Sequence, residues 1–262
     1  MMKKLLLFVF IFTSTIYMYG INEGCQDVRL KKGGILHVFP ADKNNSVRRA
    51  IVMCPGGGYS HLSIENEGYN WVPFFHEMGY TVAILEYQMP HGNPNIPIGD
   101  AIDAMLEIRR HIKECAFEKV GIMGFSAGGH LASIITMTED PLIRPDFSVL
   151  FYPVVTMYQD YMHRRSHNEL LGEHASDDIN RKYSSELNVT ENTPPLFLAL
   201  SNDDRNVYPL NSIRLYEAML EKNRTVTMHI YPKGRHGWGF REEFPYHHQM
   251  LDELKFWLAN LQ

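Results

Sequence analysis

Lys119-Val120-Gly121-Ile122-Met123-Gly124-Phe125-Ser126-Ala127-Gly128-Gly129-His130-Leu131-Ala132 is the stretch that decides the fold. An apolar, strand-like run, Lys119–Met123, leads into Gly124-Phe125-Ser126-Ala127-Gly128, and a helix-like stretch follows from His130 to Thr138. This is a G-x-S-x-G nucleophile elbow in the strand-turn-helix context that the motif needs. A serine on so sharp a turn takes a strained backbone, and only small neighbours leave room for it. The glycines on both flanks and the alanine after the serine meet that demand. The elbow sets the serine oxygen on the rim of a sheet and points the next backbone N–H groups at the same spot.

Around this stretch, β-like and α-like segments alternate. Ile35–Ala41, Arg48–Cys54, Thr81–Tyr87, Phe147–Val155, Pro195–Leu200 and Val226–Tyr231 are apolar, strand-like runs. Asn66–Met78, Pro97–Cys115, Val207–Leu220 and Pro245–Leu261 read as helices, the second with apolar residues at Ile98, Ala101, Ile102, Met105, Ile108 and Ile112. Continuous apolar strands separated by amphipathic helices predict an α/β fold, a mostly parallel sheet covered on both faces. One polar, charged segment, 157–193, is too long for a simple connection. Leu170-Leu171-Gly172 and Ile179 give it apolar anchors, so it is expected to form a small helical lid rather than a loose loop.

Open α/β sheets bind ligands at the carboxyl ends of their strands, and three such ends hold matching reagents. Ser126 follows one strand, Asp203-Asp204 follows Pro195–Leu200, and His236 follows Val226–Tyr231. Serine needs a base to ionise it, histidine titrates near neutrality, and a carboxylate fixes the imidazole tautomer. Of the 13 histidines, His236 stands out because glycines on either side, Gly234 and Gly237, let its loop fold over the serine. Asp204 is assigned as the acid over Asp203, which is expected to cap a helix or tie a loop. Pro55-Gly56-Gly57-Gly58-Tyr59 follows an early strand and resembles an oxyanion loop of the HGGG type, with proline in place of the histidine. Gly57 and Gly58, with the amide of Ala127, are the candidate oxyanion donors.

The order Ser126, Asp204, His236 is that of the α/β-hydrolases. Pro55–Ser63, Gly124–Ala132 and Tyr231–Gly237 resemble the acetyl-xylan-esterase-like branch of that superfamily, with echoes at Phe151–Val154, Asn168–Gly172 and Thr193–Pro195. The likeness runs from about Gly33 to the C-terminus. It implies the α/β-hydrolase fold, the triad Ser126, Asp204 and His236, and removal of acetyl or feruloyl groups from plant polysaccharides such as xylan. The implied partner is therefore an acylated oligo- or polysaccharide. Gln88 departs from the pattern, since many relatives have arginine there.

Two rivals share these motifs. One is a serine peptidase of the prolyl-oligopeptidase type, although such enzymes usually carry a large extra domain before the hydrolase. The other is a non-catalytic carbohydrate-binding homologue, against which the full set of reagents argues. No metal or organic cofactor is expected. The 262 residues carry 25 Lys plus Arg against 30 Asp plus Glu, a net charge of −5 with no long basic run, so nucleic acid is a poor match.

Lys3-Lys4, the apolar Leu5–Phe12 and the milder Thr13–Gly20 describe a signal peptide over 1–20, ahead of a catalytic domain over 26–262. A secreted or periplasmic protein is expected. The apolar run falls short of the roughly 20 residues that span a bilayer. Asn22-Glu23-Gly24 before Cys25 does not fit a lipobox, so lipidation is not expected. Cys25, Cys54 and Cys115 fit no zinc spacing. Trp238, beside His236, is either a sugar-stacking platform or loop packing.

Overall fold

The computed structural model describes residues 25–42, 44–115 and 117–261, with the side chains of 111–115 left out, so the expected signal peptide lies outside the described residues. Eight strands form one sheet: β1 (Gln26–Arg29), β2 (Ile35–Phe39), β3 (Arg49–Cys54), β4 (Tyr80–Glu86), β5 (Lys119–Phe125), β6 (Phe147–Phe151), β7 (Leu196–Ser201) and β8 (Val226–Tyr231). Their order across the sheet is β1-β2-β4-β3-β5-β6-β7-β8. β2 runs antiparallel to its neighbours β1 and β4, and the other neighbouring pairs are parallel. The expected α/β-hydrolase architecture is therefore present. β1 is the strand the apolar pattern does not show, because Gln26, Asp27 and Arg29 are exposed.

The buried strands are apolar on both faces because each face is covered. In β3, Ala50, Val52 and Cys54 belong to one core while Ile51 and Met53 belong to the other. That is the period of two expected of a strand, read here with no polar side. The first core takes helices α2 (Asn95–Cys115), α3 (Ser126–Thr136) and α6 (Leu210–Glu221), through residues such as Met105, Leu131 and Leu215. The second takes α1 (Val72–Glu77) and α7 (His247–Ala259), through Phe75, Met250 and Leu254. Trp71 lies at its centre, 5.2 Å from the Phe151 ring and 5.6 Å from that of Phe125.

Segment 157–193 folds into α4 (Arg164–Leu171), α5 (Asp177–Lys182) and a short 3-10 turn. It is tied to the body by hydrogen bonds between Ser133 and Ser185 (2.6 Å), from Ser185 N–H to the Val155 carbonyl (3.2 Å) and from Gly92 N–H to the Glu169 carbonyl (2.8 Å). Among the described residues no helix is long and apolar enough to cross a membrane. The parallel register brings the carboxyl ends of β3, β5, β6, β7 and β8 to a single edge, and the turns after them meet there.

Candidate active site

Ser126 follows β5 and begins α3 with φ of +52°, the left-handed region that costs a non-glycine residue roughly 1–3 kcal/mol. Its neighbours explain how the turn is tolerated. A Cβ on Gly128 would run into the carbonyl oxygens of Cys54 and Pro55, and one on Gly124 would strike the carbonyl of Gly128. The Ser126 carbonyl accepts from Val154 N–H at 3.0 Å, which pins the turn to the segment after β6.

His236 Nε2 lies 2.8 Å from Ser126 Oγ, and His236 Nδ1 lies 2.6 Å from Asp204 Oδ2. A carboxylate can only accept, so the proton sits on Nδ1 and leaves Nε2 to take the serine hydroxyl's hydrogen. Asp204 is 1% exposed, and its other oxygen accepts from Asn206 N–H (2.9 Å) and Val207 N–H (3.0 Å). Oδ1 is thus tied to its own loop while Oδ2 faces the histidine. Asp203 instead accepts from Arg235 N–H at 2.8 Å, the loop tie the sequence allowed for it.

The Pro55–Tyr59 turn follows β3 directly. Gly57 and Gly58 have φ of +134° and +66°, and at Gly57 a Cβ would also run into the His61 carbonyl, so glycine is required there. They line a cavity of about 300 Å³ together with Ser126, His236, His61, Glu67, His163, Arg165 and Arg241. Among the described residues the N–H groups of Gly57, Gly58 and Ala127 donate to no protein acceptor, whereas Gly56 N–H is taken by Glu67 Oε2 at 2.8 Å. A larger cleft of about 950 Å³ lies against β8 and α7, lined by His229 and Phe256, and no serine reaches it.

Glu67 and Tyr152 are the two residues here that sequence reasoning missed. Glu67 is buried, and its second oxygen accepts from the Tyr152 hydroxyl at 2.8 Å. That hydroxyl in turn accepts from Gly239 N–H at 2.7 Å, and the Tyr152 ring stands edge-on to His236 with centroids 4.9 Å apart. One carboxylate therefore joins the glycine turn after β3 to the loop that carries His236. Burial pushes its pKa up, against the hydrogen bonds from Tyr152 and Gly56. The position of Tyr152 next to Pro153 at a strand end was the available signal; Glu67 has no local one.

His130 sits below the site, fully buried. It must donate from Nε2 to the Tyr183 carbonyl (2.7 Å), so its Nδ1 accepts from the Tyr59 hydroxyl (2.8 Å). Burial lowers its pKa to about 4. His163, at the start of α4, is also lowered, first by burial and then by His236 and Arg165.

Trp238 is not a stacking platform. It is 3% exposed, lies parallel to Phe244 with centroids 4.1 Å apart and donates from Nε1 to Ser201 Oγ, so it packs the loop. Gln88 hydrogen-bonds to Asp100 and the Lys32 carbonyl and does not line the cavity. Among the described residues, one group has metal-ligand proximity. Cys25, Asp27 and His37 have donor atoms within 4.8 Å of one another, assembled by the β1–β2 pairing Asp27↔His37. His37 Nδ1 is already bonded to Asp27 there, at 2.7 Å.

Residues 97–262 match the model of the prolyl oligopeptidase family, more than half of the chain. The chain belongs to that family. Over 223 residues it is 40% identical to an acetylxylan esterase of Xylanibacter ruminicola, covering 83% of this chain and 46% of that protein. It is 30% identical over 223 residues to endo-1,4-beta-xylanase B of Butyrivibrio fibrisolvens, covering 78% of this chain and 35% of the relative. The chain thus spans less than half the length of these two relatives. The crystal structure of an acetyl ester-xyloside bifunctional hydrolase from Caldicellulosiruptor lactoaceticus aligns with a TM-score of 0.80 at 30% identity, over 87% of this chain and 88% of that one. The resemblance to acetyl-xylan-esterase-like α/β-hydrolases drawn from the motifs holds over nearly the whole described chain.

Proposed function

We propose that the chain is a serine esterase that removes short acyl groups, acetyl above all, from xylan-type plant polysaccharides. The observation that carries this reading is the continuous hydrogen-bonded line from Asp204 through His236 to Ser126, on a serine held at φ of +52°. As Ser126 Oγ bonds the ester carbonyl carbon, its proton passes to His236 Nε2. The oxyanion that forms is taken by the free N–H groups of Gly57, Gly58 and Ala127, a contribution on the order of a hundred-fold or more per donor. Collapse expels the sugar hydroxyl, which takes the proton back from His236, and leaves acyl-Ser126. Water then repeats the sequence: its proton goes to His236, its oxygen attacks the acyl carbon, and the acid leaves as Ser126 regains its proton.

The names of the relatives support an acetylated xylan-type substrate, and the polar lining of the cavity suits a small acyl group on a sugar. The Lys3–Gly20 composition supports export of the chain, which is where such polysaccharides are met.

The family name keeps a peptidase as the second reading. Acetate release from acetylated xylan, compared with cleavage of a proline-containing peptide, separates the two. Acetate release with labelling of Ser126 by a fluorophosphonate is the expected result. Turnover of the peptide alone would replace the esterase with a peptidase, and absence of labelling in the folded protein would remove both.

A further inference from the structure

The cavity over Ser126 is cationic in a protein whose overall charge is −5. Two guanidinium groups reach it from separate elements, Arg165 from the first turn of α4 and Arg241 from the loop between β8 and α7. Neither has a carboxylate within salt-bridge distance among the described residues. Arg165 donates to Ser60 Oγ at 2.8 Å, with its stem against Gly58, and Arg241 acts on Glu67 only through space. Glu67 is the one acid in the lining, and both its oxygens are occupied by Gly56 N–H and the Tyr152 hydroxyl. His61 and His163 complete the rim.

Arginine forks match a planar carboxylate in two parallel hydrogen bonds. Two exposed forks beside Ser126, with no protein carboxylate on either, are open to one that the ligand brings. We propose that the cavity takes an anionic ester, whose carboxylate is held by Arg165 and Arg241 while its ester carbonyl lies at Ser126. This rests on the esterase reading above and names the substrate class within it. The carboxylate has two possible carriers: a uronosyl residue on the sugar side, or the acyl group itself, as in the half-ester of a dicarboxylic acid. The cavity is at the small end of ligand pockets, which start at about 300 Å³, so anion and ester are close together in the substrate.

Two substrate pairs, each differing by one carboxylate, test the proposal. One is an acetylated xylo-oligosaccharide with and without a glucuronic acid branch; the other is the 4-nitrophenyl half-ester of succinic acid against 4-nitrophenyl acetate. In at least one pair the anionic member is expected to show a kcat/KM about tenfold higher at low salt, a preference that shrinks as salt screens it. That ratio should fall at least about fivefold in Arg165→Gln and in Arg241→Gln, the size expected for one charge-assisted contact. Preference in the first pair assigns the carboxylate to the glycan, and in the second to the acyl group. Equal kcat/KM within both pairs, or a ratio unchanged in both variants, overturns the proposal. If nothing is hydrolysed, the esterase reading fails and calorimetry decides the anion site separately. Tighter binding of an anionic compound to Ser126→Ala, lost on adding Arg165→Gln, upholds it, and equal binding of the four compounds ends it.

Discussion

Glu67 accepts a hydrogen bond from the Tyr152 hydroxyl at 2.8 Å, across 85 residues of chain, and through it the two halves of the site are held in one frame. Its other oxygen holds Gly56 N–H, so the glycine turn and the histidine loop share one buried group.

Glu67→Gln keeps the size of the side chain but replaces one acceptor oxygen with an NH2 donor, so Gly56 N–H and the Tyr152 hydroxyl cannot both be satisfied. The expected result is a fall in kcat of roughly ten- to a hundred-fold with KM changed far less, as for lost transition-state positioning. Tyr152→Phe removes the same link from the other side. The losses in the double variant should therefore be clearly less than additive. A fall in melting temperature with kcat unchanged in either variant would leave Glu67 with a structural role only.

The two adjacent aspartates should separate by orders of magnitude. Asp204→Asn removes the carboxylate on His236 Nδ1 and is expected to lower kcat/KM on the order of ten-thousand-fold. Asp203→Ala frees only the Arg235 N–H, at an exposed position, and should lower it less than about tenfold. Steady-state kinetics on one chromogenic acetate ester measure both.

Acid should weaken the fold through His130. Its folded-state pKa, about 4, lies below the ordinary histidine value near 6.5 because burial opposes the charge. The unfolded chain therefore takes up the proton first as pH falls. The stability tied to neutral His130 is complete above about pH 6.5 and drains away between there and about pH 4. Its total is on the order of 3 kcal/mol, from 1.36 kcal/mol per pKa unit. Denaturant titrations at pH 7, 5.5 and 4.5 should show the slope, and His130→Gln should flatten it even though it is less stable throughout.

Gly128→Ala puts a methyl group against two backbone carbonyls that cannot swing aside. A loss of about 3 kcal/mol or more is expected, with little folded protein recovered. Gly92→Ala is the control: its φ of +81° is strained for alanine but its surroundings are open, so about 1 kcal/mol is expected. Equal stability of the two variants by thermal unfolding would contradict the close approach at the elbow.

Much of this was legible in the residues because the signals are local. A serine at positive φ demands small neighbours, and Gly124, Ala127 and Gly128 supply them within one turn. Strands buried on both faces read as unbroken apolar runs, so β3 to β7 stood close to where they were expected. Asn66–Met78 was only half a helix. Its first part turns back so that Asn66 can hold Phe240 N–H and the Gly237 carbonyl, contacts more than 170 residues away in sequence.

The sequence by itself determined the elbow, the order Ser126, Asp204, His236 along the chain, and the sheet that aligns them, because spacing and side-chain size act between near neighbours. Only the tertiary structure decided that Trp238 packs the loop, and that Glu67 and Tyr152 bind the glycine turn to the histidine loop. It also decided that Arg165 and Arg241 share one cavity without a counter-ion. These depend on distances between groups far apart in the chain, and no local pattern encodes a distance that the whole fold must close.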